Sequence, residues 1–329
     1  MLHVRLMLIA TTFALLAGCS SIPERVAVTS PVSARIGNCC AELADSLARA
    51  RQYREAAAQY AHTLRLQPES LSIAKRALGS FWRAARYDDA YSWGRRVIAA
   101  DPGSLSALFD MGVTCGFLIA VECADSAFRR TVEINPIYVY GHGELGFLAQ
   151  ARGDLAAAVR HMEAAYVAAP SNDFAVSGLA QMLIPFGAAD RARDLLEASL
   201  AQNRRAPAYG GRSMLTLYGW TQLVLGDTAG AKASFDEVLQ WLRVRENANE
   251  TSYQLHRERA AIYAVQGEKK AAIEAMNVAY NQGWRLYASW SLPDLMFAPV
   301  VNEPEVVKMI ERMRADVREM RKRVGLSPQ

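Results

Sequence analysis

This sequence of 329 residues has a small net charge and few charged residues. It carries 37 basic and 33 acidic side chains, which leaves a formal charge of +4, so electrostatics gives no case for nucleic-acid binding. Charged residues make up 21% of the chain and hydrophobic residues 51%, a balance that excludes an intrinsically disordered protein. The length fits one large domain, two ordinary domains or an array of repeats.

Residue patterns that carry chemistry are also missing. The chain has no H-E-x-x-H, G-x-S-x-G or G-x-x-x-x-G-K-[ST] motif, the signatures of metalloproteases, hydrolases and phosphate-binding loops. Residues 141–146 (GHGELG) spell a dinucleotide-binding pattern, but they fall inside a predicted helix and no strand precedes them. The histidines are scattered, and none has zinc-site spacing to a cysteine: His3, His62, His142, His161 and His256. We therefore predict no catalytic residue, metal site or cofactor, and we expect the protein not to be an enzyme.

The N-terminus has the pattern of an export signal. Arg5 precedes an apolar run at residues 6–17, which is too short to span a bilayer but fits the apolar region of a signal peptide. The run ends in residues 16–19 (LAGC), which resemble the lipobox of bacterial lipoproteins. That resemblance implies removal of residues 1–18, lipidation of Cys19 and lasting attachment to a membrane. An ordinary secretory signal with an incidental cysteine is the alternative.

The residues after the lipobox bear on location. Ser20, and not aspartate, follows the cysteine, and in the lipoprotein family this favours sorting to the outer membrane. Residues 19–36 contain serine, proline and valine without helical periodicity, so we predict a flexible tether between the anchor and the folded part. The expected location is the bacterial cell envelope, on the outer membrane and facing the periplasm.

A 34-residue period runs through the middle of the sequence. Four prolines and five alanines recur at this interval: Pro68, Pro102, Pro136 and Pro170, and Ala56, Ala90, Ala124, Ala158 and Ala192. A fixed period of this length indicates stacked helix–turn–helix units, and the blocks resemble the tetratricopeptide repeat family. The resemblance implies an all-α, right-handed superhelical solenoid of about seven units over residues 37–284. Units would begin near residues 37, 71, 105, 139, 173, 212 and 253.

Residues 285–329 depart from the period and resemble the end segment of tetratricopeptide arrays in bacterial regulatory proteins. After Gly283 and Trp284 come several prolines and then a helix with one apolar stripe: Val306, Ile310, Met313, Val317, Met320 and Val324. We predict a capping helix with a polar outer face, which solenoids need for solubility. The alternative is a basic contact for acidic partners or phosphate-bearing lipid.

In the tetratricopeptide family, the first helix of each repeat lines a concave groove. The family's groove positions fall on nine aromatic, cationic or amide side chains of this sequence: Lys75, Trp82, Arg83, Phe109, Phe117, Tyr140, Phe147, Gln150 and Trp220. Aromatic rings bring large buried area at low entropy cost, so the resemblance favours binding of a protein or peptide. The alternative is that several of these side chains pack between neighbouring repeats. Gly79 stands where chaperone-binding members have an asparagine, so their carboxylate clamp is not reproduced.

Two of the five cysteines lie near each other in the predicted third repeat. Cys115 and Cys123 face across its turn, and the oxidising periplasm allows a disulfide between them. Residue 123 lies beside, and not on, the face turned toward the first helix, so the geometry leaves the pairing open.

The sequence favours a non-enzymatic, lipid-anchored periplasmic scaffold that binds another envelope protein or peptide through its groove. The candidate machines are those of pilus assembly, secretion, polysaccharide export and outer-membrane biogenesis. The competing hypothesis is an enzyme or accessory protein that acts on cell-wall glycan in the groove. Paired carboxylates would favour that second hypothesis, but only Asp45 is acidic among the assigned groove positions. We expect no small-molecule substrate.

Overall fold

Helices begin at 34-residue intervals through the middle of the chain. The computed structural model describes residues 31–202, 213–248, 252–285, 287 and 295–327, with side chains from residue 38 onward. Regular structure in these ranges is helical throughout, which confirms the predicted all-α repeat fold. The α-helices are α1 Pro31–Arg49, α2 Tyr53–Leu66, α3 Leu71–Arg83, α4 Tyr87–Ala100, α5 Leu105–Phe117, α6 Val121–Ile134, α7 Val139–Ala151, α8 Leu155–Ala168, α9 Asp173–Leu183, α10 Ala189–Ala201, α11 Met214–Val224, α12 Thr228–Asn247, α13 Tyr253–Val265, α14 Lys269–Asn281 and α15 Pro304–Arg323. A 3-10 turn, Leu295–Phe297, precedes α15.

The helices pack as consecutive pairs. An odd-numbered helix from α1 to α13 is the first helix of a repeat and the even-numbered helix after it is the second, as the contacts of α1 with α2, α3 with α4 and α7 with α8 show. Second helices also contact the first helix of the next repeat, for example α8 with α9 and α10 with α11. Each repeat therefore buries its apolar faces against its sequence neighbours, as expected of a repeat array.

The periodic prolines and alanines have distinct roles. Each periodic proline lies two residues after the last residue of a second helix, as Pro68 follows Leu66 and Pro102 follows Ala100. A proline ring there cannot continue the helix. The periodic alanines are at most 1% exposed. Their small side chains fit where the two helices of a repeat pack to interior density.

A residue with positive φ closes the first helix of each of the seven repeats. Arg51, Ala85 and Ile119 adopt this left-handed conformation and stand 34 residues apart. The later repeats use glycine at the corresponding place: Gly153, Gly187, Gly226 and Gly267. In the second repeat the turn lets Arg86 N–H donate to the Phe81 carbonyl at 2.9 Å, which satisfies an unpaired group at the helix end.

The chain divides into two compact units between Thr114 and Cys115. The first unit has a core that includes Tyr60, Leu78 and Phe81, each at most 1% exposed. Leu78 stands where the repeat family has a small residue, and it packs fully inside the unit.

In the second unit one hydrophobic core runs from the fourth repeat into the C-terminal helix. It includes Met162, Phe235, Trp284 and Met309. The buried stripe of α15 is Val306, Met309, Met313, Val317 and Met320, whereas Ile310 and Val324 of the predicted stripe are half-buried. The helix therefore forms part of the core and is more than a cover over the last repeat.

Residues 1–30, which hold the predicted signal peptide, Cys19 and most of the predicted tether, lie outside the described residues. Helix α1 begins at Pro31, so the prediction that residues 31–36 form a tether is wrong. Proline suits this place because its fixed φ is compatible with the first turn of a helix. No helix among the described residues combines the length and apolarity that crossing a membrane requires.

Candidate functional site

Trp82 and Arg83, two predicted groove residues, form one aromatic and cationic cluster at the end of α3. The guanidinium carbon of Arg83 lies 3.9 Å from the centre of the Trp82 ring and 5.3 Å from that of Tyr53. Arg83 Nη1 also donates to the Gly79 carbonyl at 2.8 Å. These contacts hold a cation over aromatic faces, where the ring quadrupole attracts it.

A half-buried carboxylate holds the Trp82 side chain. The indole Nε1 donates to Asp110 Oδ1 at 2.8 Å, and Trp82 is 7% exposed. Burial raises the pKa of Asp110 to about 6, although the Trp82 hydrogen bond and the Arg83 charge act in the opposite direction. Sequence reasoning did not single out Asp110, because it lies one place away from an assigned groove position.

The other predicted groove residues of the first unit differ in exposure. Lys75 Nζ forms an ion pair with Asp101 Oδ2 at 3.2 Å, and its side chain is 41% exposed. Phe109 is half-buried. Asp45 accepts hydrogen bonds from Tyr60 and from Arg76, whose Nε lies 3.1 Å from Asp45 Oδ1. Lys75, Arg83 and Asp45 thus all retain solvent contact, and the Asp45 side chain is 26% exposed.

In the second unit, three predicted groove residues are buried. Phe147, Gln150 and Trp220 are 5%, 6% and 8% exposed. Phe147 and Tyr140 both pack on Phe174 of the next repeat, with ring centres 6.0 and 5.3 Å away. Their exposed fractions are close to the 7% of Trp82, so their assignment to the contact surface stays a prediction. Packing between neighbouring repeats, the alternative left open by the sequence, describes Phe147 and Tyr140.

Phe117 is covered by a residue far away in sequence. The rings of Phe117 and Tyr287 meet edge to face with centres 4.8 Å apart. The Tyr287 hydroxyl donates to Glu144 Oε2 at 3.2 Å, and both residues are at most 4% exposed. A Cβ atom at Gly116 would stand 2.5 Å from Cε2 of Tyr287, so only glycine leaves room for this ring.

Helix α15 makes a second long-range contact. Arg321 Nη1 donates to the Leu118 carbonyl at 2.9 Å, and its Nε donates to the Ser327 carbonyl at 2.6 Å. Arg321 is 5% exposed. The Leu118 carbonyl lies just after the end of α5, where carbonyls lack partners within the helix and the helix dipole favours a cation. The C-terminal segment thus contacts Leu118, just after α5, and Glu144 of the fourth repeat, both in its own unit.

One signal in the sequence would have found two of the missed residues. Asp110 and Glu144 are each the sixth residue of a first helix, α5 and α7, and stand 34 residues apart. Acidic residues at the same position of two largely apolar helices indicate a shared structural role. Tyr287 and Arg321 lie outside the period, so no repeat comparison points to them.

Cys115 and Cys123 form a disulfide with their Cα atoms 5.8 Å apart, a separation common to disulfide bridges. Cys115 lies in the last turn of α5 and is fully buried. The bridge ties the first helix of the third repeat to the second.

Two of the scattered histidines lie close together in the structure. The rings of His142 and His161 have centres 5.9 Å apart. Burial lowers the pKa of His161, and the charge of the nearby His142 lowers it further. No cluster of three or more histidine, cysteine, aspartate or glutamate side chains suited to a metal ion occurs in the described ranges. The glycines of residues 141–146 lie within α7, and Gly146 packs against Met162.

No protein-family model and no curated protein matches the sequence. Among solved structures, a tetratricopeptide repeat protein from Parabacteroides merdae is similar over 84% of this chain and 97% of its own, with 13% identity and a TM-score of 0.56. PilW, a widely conserved type IV pilus biogenesis factor, is similar over 62% of this chain and 92% of its own, with 18% identity and a TM-score of 0.52. Identities this low establish the fold alone. The periodic helix pairs of this chain and its similarity to these structures show that it has the tetratricopeptide-repeat fold.

Proposed function

We propose that this protein is a non-enzymatic scaffold of the bacterial envelope, anchored by lipid and facing the periplasm, that binds another envelope protein or peptide. The observation that carries the proposal is the half-buried Arg83 guanidinium of the first unit, which lies over the rings of Trp82 and Tyr53. Lys75 adds a second cation about two turns earlier on α3. Aromatic and arginine side chains dominate the binding energy of protein interfaces, and stacking pre-orders the guanidinium at little entropy cost.

The proposed contact surface includes fewer residues than the groove predicted from the sequence. Phe147, Gln150 and Trp220 are buried and uncharged, and the Trp82 ring of the first unit is equally buried. The proposed contact surface therefore lies on the first unit, where the charged ends of Lys75 and Arg83 keep solvent contact.

The proposed anchor rests on the sequence of residues 16–19. Two or three acyl chains on Cys19 would give lasting attachment, because each buried methylene contributes about 0.8 kcal/mol. Cells grown with radiolabelled palmitate test it. We expect label on the native chain and none on Cys19→Ser, and label that survives the substitution would contradict the anchor.

For the assembly machinery that this scaffold would serve, we propose a class and no individual system. Pilus assembly, secretion, polysaccharide export and outer-membrane biogenesis all need adaptor proteins in the periplasm. PilW is a pilus biogenesis factor with the same fold, which makes pilus assembly a context worth testing first.

Affinity capture from solubilised envelopes tests partner binding with the full chain. We expect Lys75→Ala combined with Arg83→Ala to reduce recovery of the partner about tenfold, in line with losses above 1 kcal/mol at interface hot spots. Arg95→Ala is the matched control, because Arg95 is an exposed arginine on α4 in the same unit. Equal recovery by all three proteins would contradict a contact surface at this cluster. Trp82→Ala is avoided because removal of a buried side chain also lowers stability.

A further inference from the structure

The two cysteines of the disulfide differ in how far solvent reaches them. Cys115 is fully buried, whereas Cys123 is half-buried. The chain neighbours of Cys115, Thr114 and Gly116, are also buried. The Tyr287 ring lies against Gly116, 2.5 Å from the place that a Cβ atom would take there. A dissolved reagent therefore approaches the disulfide from the side of Cys123.

The two cysteines also lie at opposite kinds of helix end. Cys123 is the third residue of α6, and Ala120 before the helix offers no capping side chain. The unpaired N–H groups of a helix N-terminus favour a negative charge, so they favour a thiolate there. Cys115 is the eleventh of the thirteen residues of α5, where unpaired carbonyls disfavour one. The Glu122 carboxylate opposes the preference for Cys123, but it is exposed and screened by water and salt.

We infer that the bridge is a site of thiol–disulfide exchange, in which Cys123 Sγ reacts with low-molecular-weight thiols and disulfides and Cys115 is the resolving cysteine. Accessibility and helix ends point to the same sulfur, and these two features decide which cysteine reacts in such exchanges. The inference concerns the chemistry of this chain alone. It depends neither on the location of the protein nor on the partner of the proposed scaffold.

The bridge forms in two exchanges. In the reduced chain, the Cys123 thiol loses its proton to water, and its thiolate attacks an external disulfide. A bond forms between Cys123 Sγ and one half of the reagent, and the other half leaves as a thiolate. The Cys115 thiol then loses its proton, and its thiolate attacks Cys123 Sγ and expels the second half. The chain has lost two electrons and two protons, and the external disulfide has become two thiols.

The bridge opens by the same steps in reverse. An external thiolate attacks Cys123 Sγ, and Cys115 leaves as a thiolate that takes a proton from water. Attack on Cys115 would need the reagent to enter a closely packed interior, because Cys115 is fully buried. The mixed disulfide is therefore expected on Cys123 in both directions.

The experiment compares the full chains Cys115→Ala and Cys123→Ala, each of which keeps one of the two thiols. Each protein is reduced, freed of reductant and treated with oxidised glutathione. Mass spectrometry follows the glutathione adduct on the tryptic peptide of residues 97–129, which contains no other cysteine. We expect the adduct on Cys123 to form at least about tenfold faster than that on Cys115. In guanidinium chloride the two variants should react at similar rates, because unfolding removes both the burial and the helix ends.

A second measurement covers the case in which a single substitution disturbs folding. The reduced native chain is treated with a limiting amount of iodoacetamide, and fragmentation of the same peptide shows which cysteine is alkylated first. We expect Cys123 to carry nearly all of the first label. Equal labelling of the two cysteines, or faster reaction at Cys115 in either measurement, would overturn the inference. The lack of any glutathione adduct on Cys123 in the folded Cys115→Ala chain would do the same.

Discussion

The Tyr287 hydroxyl lies 3.2 Å from the Glu144 carboxylate although 143 residues separate the two. Contacts in a repeat array are mostly between neighbours in sequence, so this bond is an exception to the pattern of the fold. Together with the bond from Arg321 to Leu118, it makes the C-terminal segment part of the third and fourth repeats.

A double-mutant cycle measures that bond. We expect Tyr287→Phe and Glu144→Gln, each and together, to give a coupling free energy of about 1–2 kcal/mol, since hydrogen bonds to charged groups contribute more than neutral ones. Chemical denaturation monitored by circular dichroism gives the free energies of unfolding.

Tyr218 and Glu197 are the matched control pair, because their hydrogen bond of 2.9 Å is exposed and lies in the same unit. We expect Tyr218→Phe and Glu197→Gln to couple by less than about 0.5 kcal/mol. Similar coupling energies for both pairs would show that burial of Tyr287 adds nothing to its bond.

The raised pKa of Asp110 predicts that folding stability changes with pH in a definite direction. Its pKa of about 6 in the folded state exceeds the unfolded value of 3.8, so the native state binds a proton more tightly. Its contribution therefore favours folding below the unfolded pKa and is lost as the pH rises through about 6. Asp110→Asn removes this titration and keeps an acceptor for the Trp82 indole.

Thermal unfolding at pH 7, 6 and 5 checks this sign. Relative to Asp110→Asn, the native chain should gain stability as the pH falls from 7 to 5. Parallel profiles for the two proteins would show that Asp110 titrates near its ordinary pKa. The comparison between the two proteins cancels the titration of all other groups.

Repeat boundaries could be predicted from the sequence because they depend on local chemistry. The periodic prolines end second helices and the periodic alanines lie at helix crossings, and each effect acts within one repeat. Helix α1 was predicted to start too late, because residues 31–36 lack apolar periodicity and only Pro31 marks the first turn.

The site was less predictable because burial depends on distant chain segments. Family positions placed Phe117 and Phe147 in a groove, but Tyr287 covers one and Phe174 packs on the other. The donors Tyr287 and Arg321 fall outside the period, so their targets follow from the fold and not from spacing. Asp110 and Glu144 carried a usable signal, since they stand 34 residues apart.

Ala85→Gly should stabilise the protein. Ala85 has a φ of 58°, and an alanine in the left-handed region costs about 1–2 kcal/mol. Part of the gain is offset because glycine has more freedom in the unfolded chain, which leaves a net increase of about 0.5–1 kcal/mol in the free energy of unfolding.

Ala99→Gly is the control for that substitution. Ala99 is exposed and lies in the last turn of α4 in the same unit, so glycine there should lower the free energy of unfolding by up to about 1 kcal/mol. Destabilisation by both substitutions would contradict the left-handed conformation at Ala85.

The Cys115–Cys123 disulfide gives a prediction for the protein isolated without reductant. Trypsin leaves residues 97–129 as one peptide that contains both cysteines. Without reductant this peptide should resist alkylation and have the mass of the disulfide, two hydrogens below that of the dithiol. Recovery of the native chain with both cysteines alkylated would contradict the bridge.

Loss of the bridge should lower stability. The disulfide closes a short loop with a separation of 8 residues, for which the chain-entropy estimate is about 2–3 kcal/mol. Cys115→Ala combined with Cys123→Ala should therefore lower the melting temperature. An unchanged melting temperature would mean that the turn between α5 and α6 is equally ordered without the bridge.

Binding of an envelope protein at the Trp82 and Arg83 cluster is the central claim, and photo-crosslinking in living cells tests it most directly. A benzophenone amino acid is placed at position 83 of the full chain, and at position 95 as the control. We predict one discrete adduct with another envelope protein from position 83 and none from position 95. No adduct from position 83, or the same adducts from both positions, would contradict the claim.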